Sequence, residues 1–152
     1  MLKLDNISKF ITFTIDLFND EFSQYIDNID ALWYFSHGGC YELAKILKHY
    51  FPDSQYVMRK DFDHCAVLLE GRIYDVFDGI SPSRLKQQEM VKEYKKEMKD
   101  FIIYTPEEME NSMKERPFGC GKNILIEGKN VESAILDEIA NIDSVTFTKQ
   151  RN

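Results

Sequence analysis

The stretch HCAVLLEGRIYDVFDG, residues 64–79, decides the fold because it carries the clearest strand signal in the chain. Two runs rich in aliphatic and aromatic residues flank the dipeptide Glu70-Gly71, and a short glycine-containing turn between such runs is typical of a β-hairpin. Hairpins pair their strands in antiparallel fashion, so we expect a small antiparallel sheet with this segment in it.

Outside the hairpin, the periodicity of apolar residues predicts mostly helices. The first apolar stretch reads either as one amphipathic helix or as a broken pair, and Thr105-Pro106 is a favourable helix start. Helices are predicted at residues 7–27, from Cys40 to just before Pro52, at 83–99 from a start at Pro82 or Ser83, from Thr105 onward and at 131–142; short strands are predicted at 55–59, 101–104 and 123–126. Helices at both ends of a small antiparallel sheet make an α+β fold, and the length of 152 residues suits a single domain spanning 1–152.

The overall composition narrows the class of protein. The apolar share of 43% is that of a globular chain, and the net charge of −7 argues against binding to nucleic acid or to an anionic membrane. Three cysteines without paired spacing favour a reducing compartment. The first apolar run contains charged residues and no small-residue cleavage site, so we expect neither a signal peptide nor a membrane span, and a cytoplasmic location.

Cys40 is the candidate nucleophile. It follows Gly38-Gly39 and opens the second predicted helix, and glycines belong where a chain turns sharply or approaches another segment closely. The positive end of a helix dipole stabilises a thiolate, which is the reactive form of cysteine.

His64 is the candidate base because it begins the first strand of the predicted hairpin. Pairing across the Glu70-Gly71 turn places Asp75 on the same face as His64 and diagonal to it, while Asp78 falls on the opposite face. Asp75 is therefore predicted to orient His64, with Asp78 as the fallback if a bulge shifts the register. The same alternation predicts that Cys65 points away from His64.

The order of a cysteine at a helix start, a histidine at a strand head and an aspartate on the next strand resembles the papain-like cysteine hydrolases. The segments GGCYELAKIL and DHCAVLLEGRIYDVFDG are particularly similar to small bacterial and phage members related to the NlpC/P60 and transglutaminase-like groups. The resemblance covers residues 33–79, the core of the expected domain. It implies a helix packed on an antiparallel sheet, and acyl transfer from an amide through a thioester, with no cofactor and no metal.

Carried onto this chain, the resemblance makes Cys40 the nucleophile, His64 the base and Asp75 the orienting residue. Papain has a glutamine shortly before its nucleophile that helps to bind the oxyanion, and this chain has none there. The backbone N–H of Cys40 is one candidate donor. The candidates for a second donor or for substrate contact are Trp33, Tyr34, Ser36, His37 and Gly39.

Three other interpretations stay open at this point. Each residue has an ordinary structural role, since a cysteine on a helix is commonly a small buried apolar side chain. A zinc site could draw on Cys40, His64, Asp75 and Cys120, although no closely spaced ligand pair is present. The chain could also be a non-catalytic scaffold that binds and inhibits a protein partner, so the expected partner is either a protein or peptide substrate or such a protein.

Overall fold

The computed structural model describes residues 6–61, 63–87, 96–115 and 124–151, the last range with side chains as far as residue 142. Helices and strands both contribute to the fold, which is α+β. The helices are α1 (Ile7–Leu17), α2 (Ala31–Ser36), α3 (Cys40–Tyr50), α4 (Pro82–Gln87), α5 (Pro106–Lys114) and α6 (Val131–Arg151). The strands are β1 (Gln55–Arg59), β2 (Cys65–Leu69), β3 (Arg72–Tyr74), β4 (Phe101–Tyr104), β5 (Leu125–Ile126) and β6 (Lys129–Asn130).

The hairpin predicted from the sequence is the edge of a four-stranded antiparallel sheet with the order β3-β2-β1-β4. Leu69 pairs with Arg72, as the Glu70-Gly71 turn predicts. Both turn residues have positive φ, 51° at Glu70 and 79° at Gly71, which is the conformation that a two-residue type I′ turn requires. The strands predicted at 55–59 and 101–104 are also confirmed.

The hairpin is shorter than the sequence pattern indicates. β3 ends at Tyr74, and a 3-10 turn over Val76–Gly79 follows. Asp75 caps this turn by accepting the backbone N–H of Phe77, a local bond that competes with the strand ladder. The paired strands therefore stop short of His64 and Asp75, both of which were expected to lie on them.

The main hydrophobic core lies between one face of the sheet and the helices. Tyr56, Met58, Cys65 and Val67 point from the sheet into it, and α3 packs directly on β2. Buried residues of α1, α2 and α6 belong to the same cluster. A smaller cluster on the opposite sheet face is formed by Val57, Ala66, Ile73 and Phe101.

The structure decides between the two forms expected for the first apolar stretch, and other helices differ from the sequence expectation. The first apolar stretch is the broken form: α1 is followed by a π-helical turn at Phe18–Phe22 and a 3-10 turn at Ser23–Tyr25. α2 was not predicted. The charged helix begins at Pro82 as expected, but Lys96 and Glu97 are not helical.

The helix predicted at 83–99 has an apolar stripe made of Met90, Val91, Tyr94 and Met98. The first three lie outside the described residues, and Met98 is exposed in a 3-10 turn. The last strand is confirmed only at Leu125–Ile126, and α6 continues beyond its predicted end. In the described part of the chain, no helix has both the length and the apolar character needed to cross a bilayer.

Candidate functional site

The two glycines before Cys40 are explained by the path of the chain between α2 and α3. Gly38 has a φ of 113°, a backbone conformation that side chains disfavour. At Gly39, a Cβ would lie 2.6 Å from Tyr34 Cε2 and 2.8 Å from the carbonyl oxygen of Tyr34. Gly39 also donates its N–H to that carbonyl at 2.9 Å. Only glycine lets the backbone pass so close to Tyr34, and α3 begins at the next residue, Cys40.

Cys40 is the first residue of α3, and its thiol lies against the start of β2. Its side chain is nearly enclosed, with 9% of the residue exposed. The Cys65 thiol donates to Cys40 Sγ at an S–S distance of 3.5 Å. The His64 side chain lies near enough to the Cys40 thiol for its charge to lower the pKa of the thiol. The Cys40 thiol therefore lies near a second thiol and an imidazole at the positive end of a helix.

His64 links Cys40 to a buried carboxylate. Its Nε2 lies 2.6 Å from Asp75 Oδ2, and both side chains are buried. Because Nε2 is engaged by Asp75, Nδ1 is the nitrogen left for Cys40. His64 thus links the two groups: it is hydrogen-bonded to Asp75, and its charge acts on the Cys40 thiol, although the three residues belong to a helix start, a loop end and a turn start.

Asp75 is itself held by a buried cation. Lys96 Nζ lies 3.1 Å from Asp75 Oδ1 and 2.8 Å from Asp78 Oδ2, and only 5% of the Lys96 side chain is exposed. Asp78 Oδ2 also accepts the backbone N–H of Asp75 at 2.9 Å. One oxygen of Asp75 therefore faces Lys96 and the other faces His64, so the carboxylate has a defined orientation.

The electrostatics favour a charged Cys40–His64 pair. The hydrogen bond from Cys65 lowers the pKa of the Cys40 thiol; burial opposes this, and the hydrogen bond and charge of His64 add to the lowering, so that the value is well below normal. Burial alone would lower the pKa of His64, but the bonds to Asp75 and Cys40 outweigh it and raise the value to about 10. Both shifts therefore act in the direction of a thiolate beside an imidazolium.

The two carboxylates have opposite shifts. Burial would raise the pKa of Asp75, but His64 and Lys96 together lower it below the usual range. Burial raises the pKa of Asp78, and the charge of Asp75 adds to this rise while Lys96 opposes it. Asp75 is thus the carboxylate that stays ionised beside His64.

Three of these residues make contacts that the sequence does not predict. Cys65 was expected to point away from His64, into the core or the other face; it lies in the main core, but its contact with the Cys40 thiol was not predicted. Asp78 was expected on the opposite face, but the capped turn brings it beside Asp75. Lys96 was expected on a solvated helix, and no local sequence signal marks it, since it is 21 residues from Asp75.

The five candidates for substrate contact divide into three groups. Trp33 and His37 are exposed, and their rings stack in parallel at a centroid distance of 4.6 Å. Tyr34 and Gly39 are buried and pack against each other, which makes them part of the scaffold. The Ser36 hydroxyl donates to the carbonyl of Leu32 at 2.5 Å and so caps α2 internally.

Another buried carboxyl, that of Glu42, lies in the first turn of α3. The Tyr34 hydroxyl donates to Glu42 Oε2. Burial raises the pKa of Glu42 to about 7, although the Tyr34 bond and the charge of Lys45 act in the opposite direction. The bond ties α2 to the first turn of α3 and thereby helps to position Cys40.

The described residues do not assemble a metal centre. Among them, no group of three or more histidine, cysteine, aspartate or glutamate side chains has the arrangement to hold an ion. Cys120, the fourth ligand of the zinc alternative, lies outside the described residues.

Comparison with known proteins places the chain in a family. No curated protein and no solved structure shows significant similarity to it. A family model described as "Phage YunG-like protein" matches residues 15–113, which is well over half of the chain and includes Cys40, His64, Asp75 and Lys96. The chain therefore belongs to the phage YunG-like family.

Proposed function

We propose that this chain is a cysteine hydrolase or acyltransferase that acts on an amide bond through Cys40, His64 and Asp75. The observation that carries the proposal is the buried 2.6 Å contact between His64 Nε2 and Asp75 Oδ2, beside a Cys40 thiol whose pKa the same histidine lowers. A nucleophile, a base and an orienting group in one chain of hydrogen bonds is the arrangement that covalent catalysis needs.

In the first step, the Cys40 thiolate attacks the amide carbonyl carbon. A C–S bond forms, and the carbonyl oxygen becomes an oxyanion at the N-terminal end of α3, where backbone N–H groups lack intrahelical partners. The His64 imidazolium then gives its proton to the amide nitrogen, the C–N bond breaks and the amine leaves. The product is a thioester on Cys40.

In the second step, neutral His64 takes a proton from water or from an acceptor amine as it attacks the thioester. The C–S bond breaks, and the Cys40 thiolate is restored with a protonated His64. Water gives hydrolysis or deamidation, and an amine gives transfer. Asp75 stabilises the imidazolium in both steps, and Lys96 keeps Asp75 ionised.

We further propose that the arrangement is papain-like in the broad sense. Two features support this: the nucleophile begins a helix that packs on an antiparallel sheet, and the base and its orienting carboxylate come from the sheet side. The stacked pair Trp33–His37, at the end of the helix before Cys40, is the proposed contact for a peptide substrate.

The test is the rate of iodoacetamide labelling of each cysteine as a function of pH, mapped by mass spectrometry. We expect Cys40 to label with an apparent pKa below ~7.5 and much faster than Cys65 and Cys120. His64→Ala should remove this advantage, because it removes both the hydrogen bond and the positive charge. His49→Ala is the matched control, since His49 is exposed at the far end of α3.

Equal labelling rates for the three cysteines in the folded protein, or loss of the fast rate in His49→Ala as well, would sink the catalytic proposal. The alternative is a scaffold that binds a protein without chemistry, and the observation in its favour is the low exposure of Cys40. On that alternative Cys40 labels only on unfolding.

A further inference from the structure

We propose that Cys40 and Cys65 form a dithiol that reacts with hydroperoxides, with Cys40 as the attacking thiol and Cys65 as the resolving thiol that closes a reversible disulfide. The two Sγ atoms lie 3.5 Å apart in the buried interface between α3 and β2. This inference concerns the oxidation chemistry of the pair and does not depend on whether the site cleaves amides.

The distance is short enough for a bond without a change of fold. A disulfide has an S–S length of roughly 2.05 Å, so the two sulfur atoms need to close by roughly 1.5 Å. Cys40 is the first residue of α3 and Cys65 is the first residue of β2, so both belong to element ends. Ends of elements adjust more easily than their interiors, and the movement is shared by two side chains.

The surroundings assign the roles of the two thiols. Cys40 is the first residue of α3 and is 9% exposed, whereas Cys65 is 1% exposed and pairs with Met58 in the sheet. A hydroperoxide is therefore expected to react with the Cys40 thiolate and not with Cys65. Cys65 is already directed at Cys40 Sγ, which is the position that a resolving thiol needs.

The reaction has two balanced steps. The Cys40 thiolate attacks the terminal oxygen of the hydroperoxide; an S–O bond forms, the O–O bond breaks, and the alkoxide leaves as an alcohol after taking a proton from His64 or water. The Cys65 thiol then attacks the sulfenic sulfur of Cys40. The S–S bond forms, the S–O bond breaks, and hydroxide leaves with the Cys65 proton as water.

Oxidation would therefore switch off the proposed nucleophile while protecting it. A sulfenic acid without a neighbouring thiol proceeds to the sulfinic acid, which is not reduced by ordinary thiols. The disulfide, in contrast, is reopened by a dithiol reductant, which restores the Cys40 thiolate. The amide reaction and peroxide sensitivity would then share one sulfur atom.

The experiment uses the full chain with Cys120→Ser, so that two thiols remain. The reduced protein is treated with hydrogen peroxide in the presence of dimedone, which traps sulfenic acids, and digested without reduction for mass spectrometry. We expect a peptide pair linked through Cys40 and Cys65, and full recovery of alkylation at Cys40 after dithiothreitol. Adding Cys65→Ser should raise the dimedone adduct at Cys40 by about tenfold or more, since the resolving thiol is gone.

Two results would overturn the inference. One is the absence of the linked peptides in folded protein whose Cys40 is oxidised by peroxide. The other is an equal yield of irreversible Cys40 oxidation with and without Cys65. The linked peptides are measured in a chain that retains both cysteines, so a folding defect in Cys65→Ser does not obscure the answer.

This experiment and the labelling test of the proposed function fail independently. If His64→Ala leaves Cys40 labelling unchanged but the linked peptides form, the dithiol stands without the hydrolase. If Cys40 is labelled fast and this rate depends on His64, but no disulfide forms, the hydrolase proposal stands without the dithiol.

Discussion

At the scale of single residues, the Cys40–His64 pair is unusual because its pKa shifts favour two opposite charges in a nearly enclosed site. Burial of charges is costly unless they are paired and hydrogen-bonded. Here the thiolate accepts from Cys65, and the imidazolium donates to Asp75. Each charge therefore has two partners, which is why the shifts of both pKa values favour the ion pair.

The pair predicts a specific dependence of stability on pH. His64, with its pKa raised to about 10, contributes fully below its unfolded value of ~6.5 and loses its contribution as pH rises through 10. Cys40, with a lowered pKa, contributes fully above its unfolded value of ~8.5 and loses its contribution as pH falls. Between ~6.5 and ~8.5 the two slopes cancel, because folded and unfolded chains bind the same number of protons at this pair.

We therefore expect a plateau in the coupling free energy of the pair from pH ~6.5 to ~8.5, with a decline on both sides. A double-mutant cycle with Cys40→Ser and His64→Gln, measured by urea unfolding, reports this coupling, for which ~0.5–3 kcal/mol is the usual range for contacting residues. A coupling that rises steadily with pH through this window would mean that His64 is neutral in the folded protein. A coupling near zero throughout would mean that the pair does not form.

At the scale of elements, the site depends on three short connections rather than on long helices or strands. The Gly38-Gly39 crossing starts α3 at Cys40, the loop before β2 carries His64, and the capped turn after β3 carries Asp75. Lys96 joins this group from the segment that leads into β4. The Lys96 side chain therefore links the two edges of the sheet by binding to Asp75 and Asp78.

Replacing Lys96 should test this link. Lys96→Met keeps the length of the side chain but removes the buried ammonium group that both carboxylates contact, so that of the described cations Asp75 keeps only His64 and Asp78 only the exposed Arg72. We expect a loss of about 3–5 kcal/mol in the free energy of unfolding, the usual cost of removing one partner from a buried ion pair. Urea unfolding followed by circular dichroism measures it.

Lys99→Met is the matched control, because Lys99 is three residues along and fully exposed beside Glu97. Lys99→Met should leave the urea midpoint of unfolding unchanged. Adding Asp78→Asn to Lys96→Met should recover part of the loss, since one uncompensated carboxylate is removed. Equal effects of Lys96→Met and Lys99→Met would show that Lys96 is a surface residue in solution.

At the scale of the whole molecule, a single core cluster joins the sheet to most of the helices. It runs from α1 through α2 and α3 to β1 and β2, and it includes Val131, Ile135 and Ile139 of α6. Cys65 lies inside this cluster, between α3 and the sheet. An interface shared by so many elements is expected to open only when the whole domain unfolds.

We therefore expect one cooperative unfolding transition. In a chain with Cys40→Ser and Cys120→Ser, urea midpoints from far-ultraviolet circular dichroism and from alkylation of Cys65 should coincide, because Cys65 becomes accessible only with global unfolding. Alkylation of Cys65 at urea concentrations where the dichroism is still native would contradict this. It would show that α3 separates from the sheet before the rest of the core opens.

The sequence by itself determined the parts of this protein that rest on local chemistry. The Glu70-Gly71 turn set the register of the hairpin, the two glycines placed the start of α3 at Cys40, and Thr105-Pro106 opened α5 with a capping box. These signals are φ values, turn types and helix caps, and each of these depends on residues that are close together in the sequence.

Tertiary structure decided the rest of the site, because the remaining contacts join segments that are distant in sequence. The hydrogen bond between His64 and Asp75 matches the predicted pairing, yet it arises where the strands have ended and not from their register. Cys65 beside Cys40, and Lys96 beside Asp75, have no local signal at all. Packing of α3 on β2 and of the segment before β4 on the capped turn brings these groups together, and burial then sets their charges.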